Sequence, residues 1–320
     1  MGVFFALSGF LAAMALRRSA PGPWLAGRLR QLGVPAMTGV LLLSPLDWWL
    51  AVTRPGGSSG NAPLVFEWAH TWFLWGLLVC SAVLWRLDRS ARTAQLISVA
   101  QTRRPSELIL MTAIATLVLF AIVPPVLMAL LPPRIATAYC NVQLIAGYLP
   151  TFLFGVLLAR SQAIREQLLD EWRLCGGIVG VAAVFYTLLC LGLIDSLEQY
   201  VRFIGAAICP PAAFVLILRS ALQIRYLPAA VRSLSDGSYT IYLLHVPAAV
   251  AINTRMAPLQ LHPNLQFAVT IVCAGVGCWL FHITVVRRST TAALLLNGRL
   301  KRQQSPASAP LAGHVPELQT

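Results

Sequence analysis

Hydrophobic residues in this chain run in long blocks separated by short polar joints. A helix needs about 20 mostly apolar residues to cross the hydrocarbon layer of a bilayer, and the blocks have that scale. Nine spans are predicted, at residues 1–16, 32–53, 68–87, 106–131, 142–160, 174–194, 200–218, 238–258 and 264–286. The joints hold most of the turn formers, such as Gly56-Gly57-Ser58-Ser59-Gly60 and Pro132-Pro133. The fold class is therefore all-α, a polytopic transmembrane helix bundle. The bundle is expected over residues 1–302. Residues 303–320, rich in Pro, Ala and Ser, are expected to form a disordered cytoplasmic tail.

Composition removes the soluble alternative. Of 320 residues, 58% are hydrophobic and only 11% are charged, against about 25% charged in ordinary soluble proteins. Too few charged groups are present to cover a water-exposed surface, so membrane lipid must be the solvent for most of the chain. The net charge of +13 raises nucleic acid as a partner. The basic residues, however, sit in short clusters between apolar blocks, as membrane topology requires, and no nucleic-acid partner is expected. Of seven cysteines, six lie within apolar runs and only Cys140 lies near a predicted outside loop. There is no CxxC and no pattern of a disulfide framework, and no metal site is expected.

Charge then orients the spans. Alternate joints, beginning with Arg17, Arg18, Arg28 and Arg30, collect 20 of the 24 Lys and Arg; the opposite side holds only Arg54, Arg134, Arg202 and Arg255. Cytoplasmic loops carry the excess of Lys and Arg. The expectation is an integral protein of a bacterial cytoplasmic (inner) membrane with its C-terminus in the cytoplasm. Nine spans then place the N-terminus outside. Met1 opens directly into an apolar block with no basic residue before it. At 1.5 Å per residue, that block reaches only about 24 Å, and signal peptides carry their charge before the apolar core. A helix upstream of Met1 is therefore expected.

Polar groups at membrane depth are costly and mark functional candidates. His245 lies within Ser238-Tyr239-Thr240-Ile241-Tyr242-Leu243-Leu244-His245 and is placed near mid-membrane. An imidazole there serves as a general base, hydrogen-bonds a substrate, or pairs with a neighbouring helix. Tyr242 shares its helix face, while Tyr239 and Ser238 lie nearer the cytoplasmic end, within reach of a donor's polar head. His70, in Trp68-Ala69-His70-Thr71-Trp72-Phe73-Leu74-Trp75, marks the outer end of the third span. That cluster reads either as an aromatic belt or as the lip of a pocket where Trp72 stacks on a sugar ring. Asp47, before Trp48-Trp49, reads as interfacial, and His282, beside Arg287 and Arg288, is a poorer candidate. Arg28 and Arg30 either set topology or grip phosphate in bidentate fashion. Pro210-Pro211 predicts a kink in the seventh span, and broken backbone at membrane depth lines a cavity or is buried in protein.

Several of these stretches, in this order, resemble the acyltransferase-3 family of integral membrane O-acyltransferases. Phe4-Phe5-Ala6-Leu7-Ser8-Gly9-Phe10-Leu11 is similar to the family's second helix, and Arg28-Leu29-Arg30-Gln31-Leu32-Gly33-Val34-Pro35 to the basic entry into its third. His70-Thr71-Trp72-Phe73-Leu74 resembles its H-x-W-F-L motif, and Ser238 to His245 its S-Y-x-I-Y-L-L-H. Leu294-Leu295-Leu296-Asn297-Gly298-Arg299 is similar to the branch that includes the glucans biosynthesis protein C succinyltransferases. The resemblance implies ten helices in a complete member. It also implies transfer of an acyl group, acetyl or succinyl in type, from cytoplasmic acyl-CoA to a hydroxyl of an extracytoplasmic glycan or lipid-linked sugar. Acyl-CoA is a substrate, and no bound cofactor is implied. The family's first-helix histidine has no counterpart here, and its R-x-x-R falls on Arg28 and Gln31 with Arg30 adjacent. The sites expected are His70 and His245 as catalytic groups, with Arg28, Arg30, Trp72, Ser238, Tyr239 and Tyr242 binding substrate. A sugar or lipid transporter or flippase, suggested by Pro210-Pro211, and a catalytically inactive truncated paralogue are the alternatives.

Overall fold

The computed structural model describes residues 1–53, 71–90, 92–132, 136–224 and 226–299. Within them the chain is helical, with no strand. Helix α1 (Gly2–Leu16) is followed by α2 (Pro21–Arg28), which runs without interruption through α3 (Val34–Thr38) into α4 (Ser44–Val52) by way of two wide π-helical turns, Leu29–Gly33 and Gly39–Leu43. Each wide turn precedes a proline, Pro35 or Pro45. A proline offers no N–H to the carbonyl four residues back and its ring crowds that carbonyl, so the preceding turn opens. There follow α5 (Trp72–Asp88), α6 (Arg92–Gln101), α7 (Pro105–Leu130), α8 (Ala136–Arg160), α9 (Gln162–Asp170) and α10 (Trp172–Cys190). The chain ends in α11 (Glu198–Gln223), α12 (Ala229–Met256), α13 (Pro263–Phe281), the wide turn His282–Val286, and α14 (Thr290–Asn297).

Within the described residues the nine predicted spans fall on helices, the third from Thr71 onward. Five stretches are long and apolar enough to cross a membrane: Pro105–Leu130, Asn141–Arg160, Trp172–Cys190, Asp195–Gln223 and Pro263–Val286. The other four miss that mark for separate reasons. Helix α1 is apolar but has 15 residues, and α5 has 17 from Trp72 onward. The second span is divided by its two wide turns, and α12 carries Asp236, Thr240, His245, Asn253 and Arg255 among its apolar residues. Residues 303–320 lie outside the described residues.

Helix α1 sits at the centre. Its buried positions Phe5, Gly9, Ala12, Ala13 and Leu16 recur at helical spacing, and it packs most extensively on α8 and also on α11 and α5. Close approach is set by small residues. A Cβ at Gly9 would run into the carbonyl oxygen of Phe152, and one at Gly155 into that of Ala6. Helices in lipid gain little from hiding apolar surface from one another, so tight backbone approach through small residues is what holds them. Two buried clusters result. Phe5, Leu74, Cys80, Phe152 and Leu243 belong to one, and Ile109, Leu158, Ile164, Phe214 and Val215 to the other. The outer faces of α7, α10 and α13 expose Ile114, Val118, Val181, Val184, Ile271 and Val272, as lipid contact demands.

Pro210-Pro211 does not break its helix. Both prolines are buried inside a continuous α11, and the Pro210 ring fills the space beside Gly2 of α1. The expected cavity at that point is replaced by a helix–helix contact.

Helix α12 and its neighbours are joined differently, by hydrogen bonds. Gln266 and Thr270 of α13 donate to Asn253 Oδ1 at 3.1 and 3.0 Å, and Trp279 Nε1 donates to Ser233 Oγ at 3.2 Å. The basic ends of the helices also meet one another. Arg160 pairs with Asp88, Gln101 with Ser161 at 3.1 Å, and Arg219 caps the α9 carbonyl of Leu169 at 2.6 Å. The described arginines Arg160 and Arg219 thus lie at helix ends that meet at one end of the bundle.

Candidate donor and transfer site

A cavity of about 1030 Å³ opens at that basic end, between α1, α2, α12, the wide turn after α13, and α14. It lies at the upper end of the usual range for small-molecule sites. Four guanidiniums, Arg28, Arg30, Arg287 and Arg299, face one carboxylate, Asp236, in its lining. Arg28 lies over the Trp24 ring, 5.6 Å from its centroid, and Arg30 is carried on the first wide turn. Burial lowers the Arg28 pKa from its ordinary value, and the neighbouring Tyr239 raises it again. Arginine remains protonated regardless, so the cavity keeps an excess of positive charge at any working pH. Trp24 is 7% exposed, and its indole N–H has no partner among the described residues. A buried donor with no acceptor is costly, and here it lines a cavity where a ligand can satisfy it.

A directed chain of hydrogen bonds forms the cavity's floor. Thr240 Oγ1 donates to Asn297 Oδ1 at 3.0 Å. Its single proton is then used, so the 2.9 Å contact with His282 Nδ1 has the imidazole donating. All three side chains are buried. The tautomer of His282 then has Nδ1 protonated, and a Cβ at Gly237 would stand 3.3 Å from the ring, tighter than ordinary van der Waals contact, so glycine leaves the ring room against α12.

Tyr239 lies beside this cavity. Its buried hydroxyl has no partner among the described residues and feels the charges of Arg28 and Arg299. Three residues on, Tyr242 meets Phe73 edge-on at 5.5 Å. Another three residues bring His245, whose ring stands 5.8 Å from that of Tyr242. The aromatic contact continues from Phe73 to Trp72 at 6.3 Å, and Trp72 stacks with Tyr148 and with Phe5 at 6.3 and 6.2 Å. His245 Nδ1 donates to the Tyr242 carbonyl at 2.6 Å, since a carbonyl only accepts. Its Nε2 is therefore the basic nitrogen. The imidazole also bears electrostatically on the Asp47 carboxylate of α4, the helix against which α12 packs.

The structure thus brings the expected residues together in two linked groups. Arg28 and Arg30 line the cavity with Tyr239 beside it, and Trp72, Tyr242 and His245, the last of them exposed, form the group about two turns further along α12. Ser238 is exposed and does not line the cavity, and His70 lies outside the described residues. Sequence reasoning missed Trp24, Thr240, Arg287, Asn297 and Arg299. It treated Asp47 as interfacial and set His282 aside. Asn297 before Gly298, a polar residue ending a run of leucines, was the visible signal for α14.

No curated protein and no solved structure is significantly similar to the chain. A family model described as an acyltransferase domain matches residues 1–283, from α1 through α12 to the wide turn that carries His282. An acyltransferase domain over most of the chain and helices fit to cross a membrane agree with one another: the chain is an integral membrane protein of the acyltransferase-3 family.

Proposed function

We propose that the protein transfers an acyl group from acyl-CoA to a hydroxyl of an envelope glycan or lipid-linked saccharide. The single observation that carries this reading is the cavity with four arginines at the basic end. By the excess of positive charge, that end faces the cytoplasm, where acyl-CoA is made. The CoA phosphates are held by Arg28 and Arg30 as charge-assisted pairs, with Trp24 offering its N–H. The pantetheine arm then follows α12 past Tyr239 towards Tyr242 and His245. The acceptor saccharide enters from the opposite face and stacks on Trp72, with His70 in the same sequence motif.

His245 supplies the base. With Nδ1–H held by the Tyr242 carbonyl, Nε2 takes the proton of the acceptor hydroxyl as its oxygen attacks the thioester carbonyl. The new C–O bond forms, the C–S bond breaks, and the departing CoA thiolate receives the proton. Asp47 stabilises the imidazolium that exists between those two events.

The test uses inside-out membrane vesicles containing the full chain and acyl-CoA labelled in its acyl group. The expected result is label on a saccharide, dependent on the protein. Saccharide moving across CoA-free vesicles with no label transferred would overturn the reading in favour of a transporter. The proline pair that suggested transport is accounted for by packing of α11 on α1.

A further inference from the structure

The family match ends at residue 283, yet seven of the cavity's eighteen lining residues lie beyond it, from Val286 to Arg299. They belong to a short hook. The chain leaves the wide turn at Arg287, Ser289 caps α14 by accepting from the Ala292 N–H at 3.2 Å, and α14 returns to pack on α3 and α12. The hook ends on Gly298, at φ +60°, where a left-handed conformation favours glycine. Its N–H bonds Leu294 O at 2.9 Å and the Arg299 N–H bonds Ala293 O at 3.2 Å. A Cβ at Gly298 would collide with the backbone of Arg30 and Gln31. Both the backbone angle and the space therefore demand glycine, and the contact seats the hook on the very turn that carries Arg30.

Three observations point to a ligand. Arg299 is an exposed side chain that nonetheless lines the cavity and bears electrostatically on Tyr239 and His282. Asn297, one residue before the Gly298 turn, is tied through Thr240 to His282, so the hook is fixed to both α12 and the end of α13. Trp24, nine-tenths buried in the same lining, holds an N–H without a partner among the described residues.

We propose that residues 287–299 form a phosphate-binding hook of the donor site. Arg299 and Arg287 close on phosphate groups opposite Arg28 and Arg30, and Gly298 sets the position of Arg299. This rests on the donor reading above and adds a clamp that the matched domain does not supply. The chemistry recognised is a cluster of phosphate oxygens. The source argued for is a phosphorylated nucleotide-type donor, because the cations converge on a cavity and not on a flat lipid-facing surface.

The test is calorimetric titration of the full chain, in nanodiscs of neutral phosphatidylcholine, with CoA and with 3′-dephospho-CoA. Arg299→Ala is expected to weaken CoA binding about tenfold or more, the usual effect of losing one charge-assisted hydrogen bond. Arg299→Lys should recover part of it. Gly298→Ala should weaken CoA binding comparably by displacing Arg299, while Arg255→Ala, the same loss of charge at the opposite end, should leave it unchanged. Wild-type affinity for CoA retained in both Arg299→Ala and Gly298→Ala would overturn the hook and leave the donor reading standing. No CoA binding by the wild type would overturn the donor reading and the hook together. A third arm adds phosphatidylglycerol to the nanodiscs. If Arg299→Ala loses only its retention of that lipid and keeps its CoA affinity, the hook is a headgroup site and the proposal fails.

Discussion

The α1–α8 crossing and the α12–α13–α14 corner are both helix packing, yet they are held by opposite means. The stretch Gly2–Leu16 contains one polar side chain, Ser8, and meets α8 backbone to backbone through Gly9 and Gly155. The other corner is laced by Asn253, Ser233, Thr240, His282 and Asn297. In lipid, small residues supply close van der Waals contact at no desolvation cost, whereas a polar side chain must find a partner in the protein. The first region is a scaffold tolerant of nothing larger. The second accepts that constraint in order to hold ionisable groups and a cavity at the basic end.

The contrast makes graded predictions. The largest effect belongs to the scaffold. Gly155→Val adds three carbon atoms where even a Cβ would meet the Ala6 carbonyl and should cost more than about 3 kcal/mol, read as loss of folded, monodisperse protein in thermal unfolding in detergent. His245→Gln should leave that unfolding curve and the CoA titration unchanged, while acyl transfer falls about 10²- to 10⁴-fold, the range for removing a general base. Thr240→Val strands the buried Asn297 Oδ1 and His282 Nδ1–H. It should cost about 1–3 kcal/mol, seen as a modest drop in melting temperature together with weaker CoA binding. A Thr240→Val protein with unchanged CoA affinity would separate the floor of the cavity from its ligand.

The positions of the helices were legible because a membrane fixes a length scale, and every apolar block that met it became helical. Packing was less so. Pro210-Pro211 reads locally as a helix breaker, and only the neighbouring Gly2 of another helix shows why the pair is tolerated. The cavity was half legible. Arg28 and Arg30 stood out beside a motif, but Arg287 and Arg299 look in sequence like any topology-setting arginine. What distinguishes them is the left-handed turn at Gly298 and its seat on Arg30. The Asn297–Thr240–His282 chain joins residues 57 and 42 positions apart, so no local pattern contains it. His245, by contrast, was singled out from depth alone; the packing of α12 on α4, the helix of Asp47, shows only in the fold.

The central claim is that the acyl donor sits in the basic-end cavity with its thioester directed along α12. The most direct measurement is photolabelling of the full chain with a CoA analogue carrying a photoreactive group on its adenine, followed by peptide mapping. The predicted result is label on peptides containing Trp24 to Gln31 and Val286 to Arg299, competed away by unmodified acyl-CoA. Competable label at the opposite end, on peptides containing Arg202 or Arg255, would contradict it.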